Sequence, residues 1–430
     1  MLSSSFMARD RIICTSCKMP CISRANNPEK ENSKELEHIL KNIYQTFSQS
    51  INVLLLGTGE SGKTTICKQM KILHINGFTD EEKLSRIPFI KQNVHESIFC
   101  MVCAASKITP PVEVRDSKAK QSAAYILQIG PDGPTEWTNE YVDHVKTLWA
   151  DPDVQTVFRR SNEYQLIDST QQFLDKIDEI RKEDYMPTSF LVRFLDKIDE
   201  IRKEDYMPTV QDILFCRITT VTISKIEFSV KVQMKYGGGW AHFCMYDVGG
   251  QRGHRRKWIS VFDGGIQAIL FLIAASDFDQ TLREDERVNR LKEAFHVYEE
   301  IFWSRFVRGA GFLIFLNKQD LLRKKIESGR KIENYFPDYT DYKQKNGVNQ
   351  SNEYELVKGF LKHKITEISQ RNPDAVATHI MKNVIVTPAA VNRNVYIHYT
   401  TATDTDNIKL VFDDVRDLII EMNVQTFAPI

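Results

Sequence analysis

Short apolar runs set the rhythm of this chain. Asn52-Val53-Leu54-Leu55-Leu56, residues 268–274 and residues 312–316 are each too short for an ordinary helix and carry almost no polar interruption. Such runs suit strands buried on both faces of a parallel sheet. Residues 241–246 read as a further strand, and 221–232 alternate apolar and polar positions as a half-buried strand does. Between the first run and these strands, residues 77–209 have a different texture. Apolar positions there recur at helical spacing, giving predicted helices over 95–105, 137–149, 153–163 and 170–183. Strands alternating with helices imply an α/β fold, a parallel-sheet core here interrupted by an all-α insertion. The predicted boundaries are a tail and helix over 1–50, an α/β domain from 51–76 and 210–430, and a helical domain over 77–209.

Amphipathic stripes mark both ends. Leu36, Ile39, Leu40, Ile43 and Phe47 line one side of a charged helix expected over 28–49, suited to a partner or to its own domain. Ile408, Val411, Phe412, Val415, Leu418, Ile419 and Met422 line a C-terminal helix that would pack on the sheet. Within the helical insertion, the sixteen residues 173–188 recur letter for letter at 194–209. Exposed positions match as well as buried ones, which fold requirements alone do not impose. Repeat architectures need about three units, so this is read as a recent duplication, or an error in assembling the coding sequence, that adds one surplus helix and turn.

Composition changes this picture little. At 430 residues the chain is long for one core, and its 57 basic and 57 acidic residues cancel, arguing against bulk nucleic-acid binding. No run has the length of a membrane span, and the N-terminus lacks a signal-peptide core. Of the eight cysteines, Cys14, Cys17 and Cys21 crowd the polar N-terminus. A zinc knuckle would need a fourth ligand that is not nearby; inert thiols and S-acylation both remain open.

The chemistry lies in five short segments. Gly57-Thr58-Gly59-Glu60-Ser61-Gly62-Lys63-Thr64 follows the first apolar run and fits the phosphate-loop pattern. Backbone N–H groups of Gly57, Gly59, Ser61 and Gly62 can close around phosphate oxygens, with Thr65 opening the helix. Lys63 neutralises phosphate charge and the Thr64 hydroxyl can ligate Mg²⁺. Asp247-Val248-Gly249-Gly250-Gln251 ends a strand. There Asp247 can reach Mg²⁺ through water, Gly250 can offer its N–H to a γ-phosphate, and Gln251 can orient an attacking water. Asn317-Lys318-Gln319-Asp320 follows the third apolar run. Asp320 can accept from the two donors that guanine has and adenine lacks, Lys318 can lie over the base, and Asn317 can tie the loops together. Thr400-Thr401-Ala402-Thr403 can offer the Ala402 N–H to the guanine oxygen. Between the insertion and the strand leading to Asp247 lie Arg217 and Thr220. The threonine can complete a Mg²⁺ shell, and the arginine can stabilise a transferring phosphoryl group.

These segments, GTGESGKT, RITT, DVGGQR, NKQD and TTAT in that order, resemble those of heterotrimeric G-protein alpha subunits from about Cys21 to the C-terminus. Residues 161–166, 206–209 and 255–258 add to the likeness. The resemblance implies a Ras-like GTPase domain and a guanine-nucleotide switch that hydrolyses GTP to GDP, with Mg²⁺ as cofactor. It assigns catalysis to Arg217 and Gln251, pairs Glu60 with Arg217, and reaches Asp168 across from the helical domain toward the base loop. It implies as partners a βγ dimer facing residues 255–258 and the N-terminal helix, a G protein-coupled receptor at the C-terminal tail, an effector enzyme or channel, and a regulator of G-protein signalling. The implied location is the cytoplasmic face of the plasma membrane, peripherally, and the cytoplasm. Departures are Leu2 after Met1, which closes myristoylation, Thr222 and Gly253-His254 in the switch segments, a long apolar stretch over 378–393, and no Cys four from the end. Two rivals stand beside this reading: a scaffold of the same fold with impaired hydrolysis, motivated by slack before Arg217, and a P-loop kinase or ATPase, which Asp320 disfavours.

Overall fold

The computed structural model describes residues 50–181, 206–236, 238–262, 265–346, 352–371 and 394–427, with side chains of the last helix followed to Met422. The helix expected over 28–49, the three N-terminal cysteines, most of the second repeat copy and the stretch 378–393 lie outside the described residues.

Six strands form one sheet in the order β2-β3-β1-β4-β5-β6. They are β1 (Ile51–Gly57), β2 (Ser224–Lys231), β3 (Trp240–Asp247), β4 (Ala268–Ala274), β5 (Gly311–Asn317) and β6 (Val395–Tyr399). β3, β1, β4, β5 and β6 run parallel, while β2 pairs antiparallel with β3. The expected parallel core is present, with an antiparallel strand added at one edge. Only a short connection separates Lys231 from Trp240, enough for a hairpin but not for a crossover helix. β6, half-buried along its length, carries no long apolar run and was not anticipated.

Side-chain alternation splits each central strand between two cores. Leu54, Leu56, Ile269, Phe271, Ile273, Phe312 and Ile314 share one face with α9 (Arg290–Phe302) and α11 (Glu353–Gln370). Val53, Leu55, Leu270, Leu272, Leu313 and Phe315 share the other with α1 (Lys63–His74) and α12 (Thr405–Phe427). On α12, Ile408, Val411, Phe412, Val415 and Ile419 are buried, as is the unanticipated Ile420; Leu418 and Met422 pack at the margin. Between β5 and α11 lies α10 (Gln319–Glu327).

A third core belongs to the helices between α1 and β2: α2 (Ile87–Ala105), α3 (Ser117–Ile129), α4 (Asn139–Ala150), α5 (Pro152–Arg159), α6 (Thr170–Leu174), α7 (Ile177–Ile180) and α8 (Val210–Phe215). Ile90, Val94, Ile98 and Met101 of α2 recur at helical spacing and meet Tyr141, Val145, Leu148, Phe173 and Ile177. The single helix expected over 170–183 is instead two short ones, broken where Lys176 leaves helical geometry at φ −104°, ψ 17°. Ile180, from the first repeat copy, and Tyr206, from the second, are buried in this same core. Thr209 then caps α8 reciprocally with Asp212. Among the described residues no helix is long and apolar enough to cross a membrane.

Candidate functional site

The carboxyl ends of β1, β3 and β5 and the helical cluster surround one cavity. This is where ligands bind in open α/β sheets, since loops leave the strands there and α1 presents its N-terminus. The loop from β1 to α1 turns through Gly62 at φ +102°, where an added Cβ would fall 2.3 Å from Asn317 Nδ2. Lys63 folds back into this loop, donating to the carbonyls of Gly57 at 3.0 Å and Thr58 at 2.7 Å. Burial, only partly offset by Asp247, lowers its pKa to about 8. Gly250 closes over the ammonium so tightly that an added Cβ would meet Lys63 Nζ at 2.3 Å.

Beside it lies an oxygen cluster. Thr64 Oγ1 donates to Asp247 Oδ2 at 2.6 Å and lies 2.8 Å from Thr220 Oγ1. Asp247 Oδ1 is buried without a hydrogen-bond partner, and burial raises this carboxyl's pKa. Among the described residues no group of three or more His, Cys, Asp or Glu could hold a metal. Two hydroxyls and one carboxylate with an unspent oxygen nevertheless fit Mg²⁺, which favours hard oxygen ligands and retains several waters.

Gln251, Arg217 and Thr220 line the cavity with Gly59, Glu60, Ser61, Gly62, Lys63, Thr64 and Thr65; Gly57 and Asp247 lie beneath its wall. Arg217 pairs with Glu60 at 2.8 Å and with Glu96 of α2 at 3.1 Å. Glu60 also faces Arg290 and Arg283, each at 2.8 Å, the latter a charge contact without hydrogen-bond alignment. Burial would raise the Glu60 carboxyl, but Arg290, Arg217 and Arg283 bring it down to about 2. Arg290 reaches on to Gln165 at 2.7 Å, and Arg283 to Glu96 at 3.0 Å.

At the other end, Asp168 pairs with Lys318 at 2.7 Å, and Asp277 lies 3.3 Å from the same ammonium. Burial alone would lower the Lys318 pKa; the two carboxylates outweigh it and raise it. Asn317 donates to Ser61 O at 2.9 Å and accepts from Thr400 Oγ1 at 3.2 Å and from the Ala402 N–H at 2.9 Å. That last bond differs from the expectation for Ala402, whose N–H is turned to Asn317 rather than left open. Asp320 is exposed in the first turn of α10 and lines the cavity with Lys318 and Ala402.

The segment 255–258, expected to face a partner, is mixed in exposure, with Arg255 and Lys257 half-buried. Trp258 is buried and donates to Gly249 O at 2.9 Å; Arg255 pairs with Glu293 of α9 at 2.7 Å, as does Arg252. Arg256 is exposed, as is Ile259 beyond it. Sequence reasoning missed Lys68, Asn93, Glu96, Arg283 and Arg290 altogether. Gln165 sat unremarked within the stretch 161–166, which had been singled out only for its likeness.

A phosphate loop on a mixed, largely parallel sheet, with a helical cluster lending residues to the cleft, defines a nucleotide-binding switch fold of the Ras-like class. The family model for the G-protein alpha subunit matches residues 30–192 and again 189–419. The chain is 41% identical over 393 residues to the guanine nucleotide-binding protein G(f) subunit alpha of Drosophila melanogaster, covering 91% of each chain. It is 36% identical to the human G(olf) subunit alpha over 93% of this chain and 94% of that one. It is 36% identical to the G(s) subunit alpha of Lymnaea stagnalis over 95% and 99%. The chain belongs to the G-protein alpha subunit family, the signalling switches of heterotrimeric G proteins, which bind guanine nucleotide and are generally GTPases. Its two family matches each contain one complete copy of the repeated block, so the family's pattern holds that block once.

Proposed function

We propose that this chain hydrolyses GTP to GDP in the cavity between sheet and helical cluster. What chiefly supports the reading is the meeting of Lys63, Thr64, Gln251 and Arg217 at one end with Lys318 and Asp320 at the other. Lys63 exchanges the carbonyls it now holds for phosphate oxygens, and the main-chain N–H groups of 57–62 and Gly250 add donors that cost no reorganisation. Thr64 and Thr220, with Asp247 through water, would hold Mg²⁺, which when bound would neutralise negative charge on the phosphates. Gln251 orients the attacking water, and Arg217 carries a guanidinium to the charge that develops on the transferring group. Asp320 accepts from guanine, Lys318 covers the base, and Asp168 steadies Lys318.

Residues 51–76 and 210–430 are read as one GTPase domain, and 77–209 as the helical domain that closes it. To the same proposal belong an effector and a regulator of G-protein signalling as partners, and peripheral membrane attachment through Cys14, Cys17 or Cys21. Mass spectrometry of released palmitate tests the attachment. For catalysis the test is Gln251→Leu in single-turnover GTP hydrolysis. The rate should fall by about a hundredfold or more while GTP binding persists; an unchanged rate removes Gln251 from its role. A wild-type chain that binds GTP tightly without hydrolysing it supports the scaffold reading instead. Displacement of bound GTP by equimolar ATP would support an ATPase.

A further inference from the structure

The repeated block poses a mechanical problem for the arginine assigned above. Two copies offset by 21 residues precede α8, and Arg217 follows α8 by two positions. Slack in front of a catalytic side chain should misplace it unless something intervenes.

Two side chains from other elements intervene. Lys68, on α1, donates to the carbonyl of Ile213 at 2.8 Å and to that of Cys216 at 2.7 Å. These carbonyls belong to the C-terminal end of α8, where no intrahelical donor remains and a cation is favoured. Asn93, on α2, accepts from the Arg217 N–H at 2.7 Å and donates to the Arg217 carbonyl at 3.1 Å. One carboxamide thus satisfies both main-chain groups of one residue, as a neighbouring strand would. Asn93 is buried beside Ile90, Val94 and Ser97, where an unpaired amide would be costly. One turn along the same helix, Glu96 meets the guanidinium of the same arginine. α1 itself starts from the phosphate loop, so Lys68 ties the end of α8 to the helix that carries Lys63 and Thr64.

We propose that Lys68 and Asn93 are positioning residues for Arg217, a two-point clamp that holds the main chain of 213–217 against α1 and α2 whatever the length of chain before α8. The duplication is then mechanically decoupled from the catalytic site. This rests on the reading of Arg217 as the catalytic arginine, and the experiment separates the two.

Single-turnover GTP hydrolysis and GTP affinity are measured on the full chain and on a chain lacking residues 189–209. That deletion leaves Tyr185-Met186-Pro187-Thr188 before Val210, the same letters that precede it now. Deletion alone should change hydrolysis by less than about twofold. In the full chain, Asn93→Ala should lower hydrolysis by roughly ten- to a hundredfold, the scale of an ångström's misplacement, with GTP affinity kept. In the deleted chain the same substitution should cost several times less, because less slack remains to be released. Lys68→Met should reproduce the pattern from another element and decides the matter if Asn93→Ala fails to bind nucleotide. Lys68→Arg, able to donate to the same carbonyls, should restore the rate. Loss of hydrolysis in Arg217→Ala together with parental rates in Asn93→Ala and Lys68→Met overturns the clamp. Equal losses in both chain lengths overturn the decoupling. Parental hydrolysis in Arg217→Ala overturns the catalytic reading itself.

Discussion

The two sides of the cleft are built on opposite principles. The sheet side offers short loops fixed at both ends: the phosphate loop between β1 and α1, the turn after β3, and the Asn317 segment before α10. Lys63 on this side is satisfied locally by main chain, the carbonyls of Gly57 and Thr58. The helical side offers single side chains, Asn93 and Glu96 from α2 and Gln165 and Asp168 from the stretch between α5 and α6, which meet the sheet side mainly through charge and amide contacts. A hydrophobic core holds each side together internally, whereas half-buried charges hold them to each other. The difference teaches where binding and timing separate. On the proposed reading, groups on the sheet side should set whether nucleotide binds, and groups reaching across should set how readily it leaves.

The strongest way to break that comparison is at Lys63. Lys63→Met should weaken GTP binding by at least about a hundredfold, near 3 kcal/mol, in equilibrium titration. A loss below about fivefold would mean that the loop's N–H groups suffice. Next is Asp320→Asn, which replaces one acceptor oxygen by a donor facing guanine's own donors. GTP affinity should fall by roughly ten- to a hundredfold while xanthine nucleotide gains, as competition binding would register. Asp168→Ala removes a bridge from the helical side whose carboxylate is about one-third exposed. GDP release, followed by fluorescent nucleotide, should quicken by about fivefold, and hydrolysis should not change. If hydrolysis falls instead, the division of labour fails.

The gentlest test is pH. The hydrogen bond from Arg252, opposed by burial and joined by the hydrogen bond from Arg255 and both guanidinium charges, lowers the Glu293 carboxyl from 4.5 to about 2. A depressed carboxylate contributes fully above its unfolded value and progressively less below it. The hold of Glu293 on Arg252 and Arg255 should therefore be complete above about pH 4.5 and fade toward pH 2. Trp258 emission reads this, with Trp258→Phe as the blank; Glu293→Gln should abolish the change in that window.

The parts visible in sequence share one property: their chemistry is local. A phosphate loop, a D-x-G-G-Q turn and an N-K-x-D turn each concentrate donors and acceptors within eight residues, so spacing alone conveys the geometry. Apolar runs marked β4 and β5 because those strands are buried on both faces. β6 escaped notice because its faces are only half-buried. Arg290 meets Glu60 across 230 positions, and Asn93 meets Arg217 across 124. Nothing in either neighbourhood marks such a pairing, since an arginine opening a helix and an amide on an apolar helix face have many ordinary reasons to occur. The break within 170–183 was hidden for a related reason: the apolar spacing of Phe173, Leu174, Ile177 and Ile180 is the same whether one helix or two present it.

Ile180, from the first repeat copy, and Tyr206, from the second, are both anchored in one core. For protein engineering this makes the junction a ready acceptor site. A fluorescent or ligand-binding module spliced between these anchors would sit on the helical side while the chain beyond it re-enters the fold at a capped helix start. A reporter of nucleotide state could be placed there without rebuilding either switch segment.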